Sequence, residues 1–286
     1  MSIETRLFQV RLRDRWRWGG ALIGFMFPLR RCVAGSAWVI LAVLPRIVGA
    51  DAGPPFLTND PGTPGNERWE INIGSVATRA GNADIYQVPQ IDLNYGLGDR
   101  VQLTYEIPYE IDRVDGRTTS GWGNAFPGLK WRFLDEGETG WQMAVFPQLE
   151  TRVSRRAAQA ALGETDTRLL LPVELARTFG RVAVDLEAGY YTLRGPRERI
   201  LGGVAGSVLS PRFELDLELY DDRVFGSSSL TTLDIGGRYR LSPAFILLAL
   251  AGHSVQVSGT ATPEWFGYVG IQILLEHGGR SLARGE

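Results

Sequence analysis

The stretch VQLTYEIPYEID, residues 101–112, decides the reading of the whole chain. Val101, Leu103, Tyr105, Ile107, Tyr109 and Ile111 share one parity, and Gln102, Thr104, Glu106, Pro108 and Glu110 share the other. A strand sends alternate side chains to opposite faces, so this is a ribbon with one apolar and one acidic face. Two glutamates packed into a soluble core would be costly, and a stripe of tyrosine and isoleucine would be sticky in water. The two faces call for two different solvents.

The same ribbon recurs down the chain. The pattern predicts twelve strands, near 68–79, 84–96, 100–112, 124–134, 140–153, 166–179, 181–193, 199–209, 212–222, 229–241, 244–255 and 264–276. Most are longer than the five or six residues of an ordinary strand and match the roughly nine to eleven that cross a bilayer at a tilt. In RFELDLELYDD, Phe213, Leu215, Leu217 and Leu219 oppose Glu214, Asp216, Glu218 and Tyr220. In GLKWRFLD, Leu129, Trp131 and Phe133 oppose Lys130 and Arg132. AFILLALAG breaks the rule, being apolar on both faces, and RILGGVAGSVL obeys it weakly.

The connectors alternate as well. LGDR, DEGETG, the Phe179-Gly180-Arg181 corner, LSPR and LSPA read as tight turns, whereas RVDGRTTSGWG, SRRAAQAALGETD, LRGPRER, DDRVFGSSS and QVSGTATPE read as longer loops. Transmembrane barrels show this asymmetry, with short periplasmic turns and longer outer loops. Aromatics of the apolar parity then fall into two belts. Trp69, Tyr95, Phe133, Trp141, Phe213 and Tyr239 lie toward one end, and Tyr109, Tyr190 and Trp265 toward the other. Such belts mark the two membrane interfaces. The expected fold is therefore all-β: a transmembrane antiparallel up-and-down β-barrel of about twelve strands, apolar outside and charged within, in an outer membrane. A closed barrel satisfies every backbone N–H and C=O internally, as hydrocarbon demands. The competing reading is a soluble sandwich or lipocalin-like barrel with the faces reversed; strand length, turn asymmetry and aromatic placement oppose it.

Composition sets the remaining bounds. Residues 1–50 hold eight arginines against Glu4 and Asp14, so of 30 basic and 32 acidic residues the remainder keeps 22 and 30, a net charge of −8. An acidic body gives no support for nucleic-acid binding. The single cysteine is Cys32, which excludes disulfides and thiolate metal sites from the rest. Residues 26–50 read as a secretory signal: Arg30 and Arg31, a short apolar run ending at Pro45, then the small residues around Ala50. Residues 1–25 are then an extension before an alternative start at Met26. Residues 51–67 form a Pro/Gly-rich arm, destined for the periplasm or for the lumen as a plug; 68–276 form the barrel and 277–286 a tail.

Three segments, PPFLTNDPGTPGNERWEINIG, VPQIDLNYGLGDRVQLTYEIPYE and GWGNAFPGLKWRFLDEGETGWQMAVFPQLE, resemble the MetA-pathway of phenol degradation family, most closely over residues 54–150. The resemblance implies a Gram-negative outer-membrane barrel of transporter type and, through the family name, hydrophobic or aromatic cargo. Its motifs are structural and speak to fold more than substrate. One departure is the last strand, FGYVGIQILLE, which ends in aliphatics where such barrels end on an aromatic that the barrel-assembly machinery recognises; Leu275 stands in that place.

Catalysis finds little footing. GHSVQ, residues 252–256, mimics the start of a nucleophile elbow, but Gln256 replaces the second glycine. His253 and Ser254 are adjacent, so on a strand they face opposite ways, and His277 lies in the tail. With two histidines, metal binding has only carboxylates to draw on, and no catalytic residue, metal ligand or cofactor is expected. The lumen is the site to test. By parity its solute-contact candidates are Glu106, Glu110, Lys130, Arg132, Glu150, Arg168, Glu174, Asp185, Glu187, Asp216, Glu218, Arg238 and Arg240, with Glu106 and Glu110 expected to face Lys130 and Arg132. They make either a constriction that filters small solutes by charge or an ion-pair network that keeps a small barrel shut. The second possibility makes the chain a closed structural barrel whose loop arginines, Arg152, Arg155, Arg156, Arg194, Arg197 and Arg199, touch lipopolysaccharide phosphates in a membrane of outer-leaflet lipids.

Overall fold

The computed structural model describes residues 52–276; the signal, the extension before it and the tail lie outside the described residues. One antiparallel sheet contains every strand. Its strands are β1 (Arg68–Ala80), β2 (Ala83–Gly96), β3 (Val101–Val114), β4 in two segments (Arg117–Trp122 and Phe126–Leu134), and β5 in two segments (Gln142–Val145 and Gln148–Glu150). They continue with β6 (Arg168–Phe179), β7 (Val182–Thr192), β8 (Glu198–Ser210), β9 (Phe213–Val224), β10 (Ser228–Arg240), β11 (Phe245–Gly259) and β12 (Glu264–Glu276). β1 pairs with β12 from Arg68↔Glu276 to Ala80↔Glu264 as well as with β2, so the ring closes at twelve strands and has no edge.

Parity assigns the faces as the ribbons require. On β9, Asp216 and Glu218 are each 1% exposed while Leu217 and Leu219 are 52% and 55% exposed. A soluble protein would reverse this. AFILLALAG is apolar on both faces because Ile246, Leu248 and Leu250 pack inside with Val76, Val204, Phe266 and Tyr268, giving the lumen one apolar wall.

The expected loop asymmetry is weaker than the sequence suggested. RVDGRTTSGWG is a two-residue turn, Asp115-Gly116, both at positive φ (50° and 75°), and β3 and β4 extend to meet it. Asp-Gly favours this hairpin turn over a loop. DDRVFGSSS likewise shrinks to the turn between Val224 and Ser228. Among these connectors only residues 151–167 make a long excursion, carrying the helix α2 (Arg155–Gln159); a shorter helix, α1 (Glu136–Thr139), sits in the turn after β4. The end of the barrel that holds Arg68 and Glu276 is the near end below, and the other the far end.

Proline divides the wall. Pro89, Pro108, Pro127, Pro147 and Pro172 lie in β2 to β6 or in the gaps between their segments, on five adjacent strands, and β7 to β12 and β1 contain none. Each removes a ladder donor. Here β2 shifts register between Gln87 and Gln90, β4 is interrupted at 123–125, and β5 at Phe146-Pro147; the proline-free strands also shift register, at Val208/Ser210 in β8 and Thr231/Thr232 in β10, but none of them is interrupted.

Candidate functional site

The Pro/Gly-rich arm lies inside the barrel. Ala52, Phe56 and Thr58 are buried, and the luminal charges hold the arm's backbone. Glu218 accepts the N–H groups of Leu57 (3.2 Å) and Thr58 (2.6 Å). Glu187 accepts the backbone N–H of Asn59 (2.9 Å) and its side-chain amide (3.2 Å). Arg238 donates through Nη2 to the carbonyls of Ala52 (2.8 Å), Gly53 (3.1 Å) and Pro54 (3.0 Å). Lys130 donates to the Asp60 carbonyl and lies 3.4 Å from Glu174. An arm without a ladder of its own must find such partners once buried. Two glycines make the room: a Cβ on Gly202 would stand 2.2 Å from Thr58 Oγ1, and one on Gly236 would stand 2.8 Å from the Phe56 ring. The seat is built by β7 to β10 with Lys130 from β4.

Beside the arm, inside the ring, a cavity of about 630 Å³ remains, reaching the near-end rim at Arg212 and Arg240. Its polar side carries Gln87, Gln90, Asp92, Asn94, Gln102, Thr104 and Glu106; Val76, Ile246, Phe266, Tyr268 and Leu274 form the apolar side. Gln102 and Thr104 both donate to Asn94 Oδ1, at 2.7 and 2.6 Å.

The far half of the lumen is packed. Arg168 is fully buried between Glu150 (2.7 Å) and Glu198 (2.8 Å), with its guanidinium 4.1 Å from the centre of the Tyr191 ring. The 151–167 connection folds inward over it. Asn124, in the β4 interruption, donates to the carbonyls of Thr151 (2.5 Å) and Glu164 (3.1 Å) and accepts from Glu164 N–H (2.8 Å). Leu162, Val153 and Ala157 bury one another beside it.

Glu106, Glu110, Lys130, Arg132, Glu150, Arg168, Glu174, Asp185, Glu187, Asp216, Glu218 and Arg238 occupy the luminal parity, and Arg240 sits exposed at the cavity mouth. The expected partnership of Glu106 and Glu110 with Lys130 and Arg132 does not form. The register sets Lys130 opposite Gln102 and Glu110 opposite Gly121, several residues along the strand. Glu106 accepts instead from Gln90 (2.7 Å), Glu110 from Gln87 (3.3 Å), and Arg132 pairs with Asp135 (2.8 Å) at the rim. Arg238 pairs with Glu214 (3.0 Å) and reaches Asp216 (3.8 Å). Sequence reasoning missed Glu198, whose strand begins one residue earlier than read, and the amides Asn72, Gln87, Gln90, Asn94 and Gln102. Luminal parity was signal enough for those amides.

Outside, Trp69 and Tyr95 meet at 4.8 Å with their planes tilted by 44°, and Trp141 meets Phe179 at 6.3 Å, at the near end. Tyr109 meets Trp122 at 5.3 Å and Tyr190 meets Phe225 at 6.2 Å at the far end. Phe133, Phe213, Tyr239 and Trp265 are exposed on the same face. His253 stacks on Trp265 (4.0 Å) outside, while Ser254 turns inward and donates to the Glu264 carbonyl (3.1 Å).

No family model and no curated protein matches the sequence. Among solved structures, the fold is similar to the COG4313 outer membrane channel from Pseudomonas putida F1: TM-score 0.56 and 16% identity over 79% of this chain and 100% of that one. The KdgM and NanC porins are looser likenesses, each with a TM-score of 0.49 over 71% of this chain and 98% of the other, at 11% and 9% identity. At such identity the first likeness establishes the fold, an outer-membrane type of barrel.

Proposed function

We propose that the chain is an outer-membrane channel for passive passage of small solutes, its near end periplasmic and its far end outside. The observation that carries this reading is the cavity of about 630 Å³ inside a closed ring, left unfilled beside an arm that is seated by polar contacts. A wall built only for strength would have filled that space with side chains. The cavity's apolar side suits hydrophobic or aromatic cargo, in keeping with the resemblance to the phenol-degradation family. Cargo would pass the packed far half when the 151–167 connection moves, or leave sideways through the proline-interrupted wall, where the ladder is weakest.

Planar-bilayer conductance tests the reading. Single-channel steps are expected, growing when residues 53–64 are deleted and the Glu187, Glu218 and Arg238 seat is emptied. A second reading, a closed surface barrel, draws support from the fully buried Arg168–Glu150–Glu198 group and from exposed Arg152, Arg155, Arg156, Arg194 and Arg197 at the far end, placed for lipopolysaccharide phosphates. Silence from the folded protein and from the arm deletion alike would decide for that reading.

A further inference from the structure

Asp92 and Glu106 are direct cross-strand partners on β2 and β3, and both face the cavity. Like charges placed opposite each other destabilise a sheet, so a bare pair here needs an explanation. Glu70, on β1, is one diagonal step away: Asn72 is the partner of Asp92, and Glu70 lies two residues along. The donors that reach this trio are all neutral amides. Asn72 Nδ2 lies 3.1 Å from Glu70 and 3.0 Å from Asp92; Asn94 Nδ2 lies 2.9 Å from Asp92; Gln90 Nε2 lies 2.7 Å from Glu106. Among the described residues none of the three carboxylates forms an ion pair. Of the cations that line the same cavity, Lys130 is engaged by Glu174, Arg132 by Asp135 and Arg238 by Glu214 and the arm, with Arg238 also within electrostatic reach of Glu70, while Arg212 and Arg240 stand at the near-end rim. Asp92 is only 9% exposed, and its Oδ1 has no hydrogen-bond partner among the described residues.

An aromatic surface completes the site. The Tyr268 ring lies flat across Gly74 and Gly270, where an added Cβ would stand 2.4 Å and 2.6 Å from its atoms. Its hydroxyl is within electrostatic reach of Asp92 and Glu106 and, less strongly, of Arg238. Among the described residues no group of three or more His, Cys, Asp or Glu side chains could hold a metal ion, so these carboxylates border a space rather than converge on a point.

We infer that Glu70, Asp92 and Glu106 bind an organic ammonium ion whose small apolar body rests on Tyr268 and Phe266. The ammonium replaces the missing cation between the opposed carboxylates, and a ring beside it adds a face that attracts positive charge. The inference deepens the channel reading and rests on it for the route by which the ion arrives.

Three probes of one shape and different charge test it: benzylammonium, benzyl alcohol and benzoate, titrated calorimetrically into the folded full-length protein in neutral detergent. Benzylammonium is expected to bind at least tenfold more tightly than benzyl alcohol, with benzoate weakest. Asp92→Asn and Glu106→Gln each remove half of a like-charge pair with little change of shape, and each should erase the preference while leaving benzyl alcohol unchanged. Equal affinity for the three probes overturns the site, as does an undiminished preference in both variants; should one variant fail to show the folded, heat-shifted band on electrophoresis, the other decides. Bilayer current separates the two claims. Charge-selective binding without current defeats the channel and keeps the site; current without charge-selective binding keeps the channel and defeats the site.

Discussion

The wall from β2 to β6 and the wall from β7 round to β1 are made by the same alternation and behave as different materials. The first carries a proline on every strand and two interrupted strands; the second has none of either. The arm's carboxylate and guanidinium anchors, Glu187, Glu218 and Arg238, all stand on the uninterrupted wall, which also provides the glycine recesses at 202 and 236. Most of the cavity's polar side, Glu70 and Gln272 apart, belongs to the interrupted wall. A wall of uninterrupted strands, bulged at Val208/Ser210 and Thr231/Thr232, fixes its inward side chains and can hold a peptide. A broken ladder gives up strand hydrogen bonds and leaves space.

Arg168 ties the two walls together, since Glu150 comes from β5 and Glu198 from β8. Arg168→Met leaves two buried carboxylates without their cation, and removing one partner of a buried ion pair costs about 3–5 kcal/mol. We expect the heat-shifted, folded band to be lost at a markedly lower urea concentration in this variant. A midpoint unchanged from the parent would mean that the walls do not depend on this junction.

The next effect is on the arm. Gly202→Val places a side chain where Thr58 sits, whereas a side chain at Gly236 would meet the Ala249 carbonyl (2.9 Å) as well as Phe56. At Gly202 the nearest atoms all belong to Thr58 of the arm, and a strand tolerates valine well, so the barrel should fold and the arm should leave. Protease access to residues 53–64 and bilayer conductance should both rise several-fold. The paired control, Gly121→Val in β4, meets only Leu162 at 3.0 Å and should leave arm protection unchanged.

The contrast between the walls also marks what a reader of the sequence can and cannot see. Period-two alternation is local, so the twelve strands, their faces and the outward placement of aromatics such as Trp69 and Tyr190 are legible from composition and order alone. Register is not local: the place of Lys130 opposite Gln102 depends on a turn and a proline break, and for that reason the expected pairing with Glu106 failed. The Asp115-Gly116 hairpin was legible, because Asp-Gly is a turn signal, but the flanking polar residues disguised it as a loop. The arm has no periodicity at all. Its place became readable only once the luminal glycines and charges that receive it were arranged in space.

Amide hydrogen exchange should map the same division at lower energy. Backbone amides in the centres of β8, β9 and β10 have ladders on both sides and should exchange slowest. Those flanking Pro108, Asn124 and Pro147 should exchange at least tenfold faster, because local opening there breaks fewer bonds. Equal protection around the ring would remove the case for a weak side.

The smallest change repairs one break. The Pro172 carbonyl accepts from Phe146 N–H at 3.2 Å. In an antiparallel pair a residue that receives from its opposite neighbour also points its own N–H at it, and proline has none to offer. Pro172→Val therefore lets position 172 donate to the Phe146 carbonyl, at the level where β5 is interrupted. One hydrogen bond of this kind contributes about 0.5–1.5 kcal/mol net. The expected signature is a modest rise in the urea midpoint and slower exchange at Val145 and Phe146, with conductance through the lumen unchanged and uptake of apolar solutes reduced. Reduced uptake with unchanged conductance would place the passage of apolar cargo in the interrupted wall. Unchanged uptake beside slower exchange would show that mending the wall there is irrelevant to transport, and that solutes travel along the barrel axis.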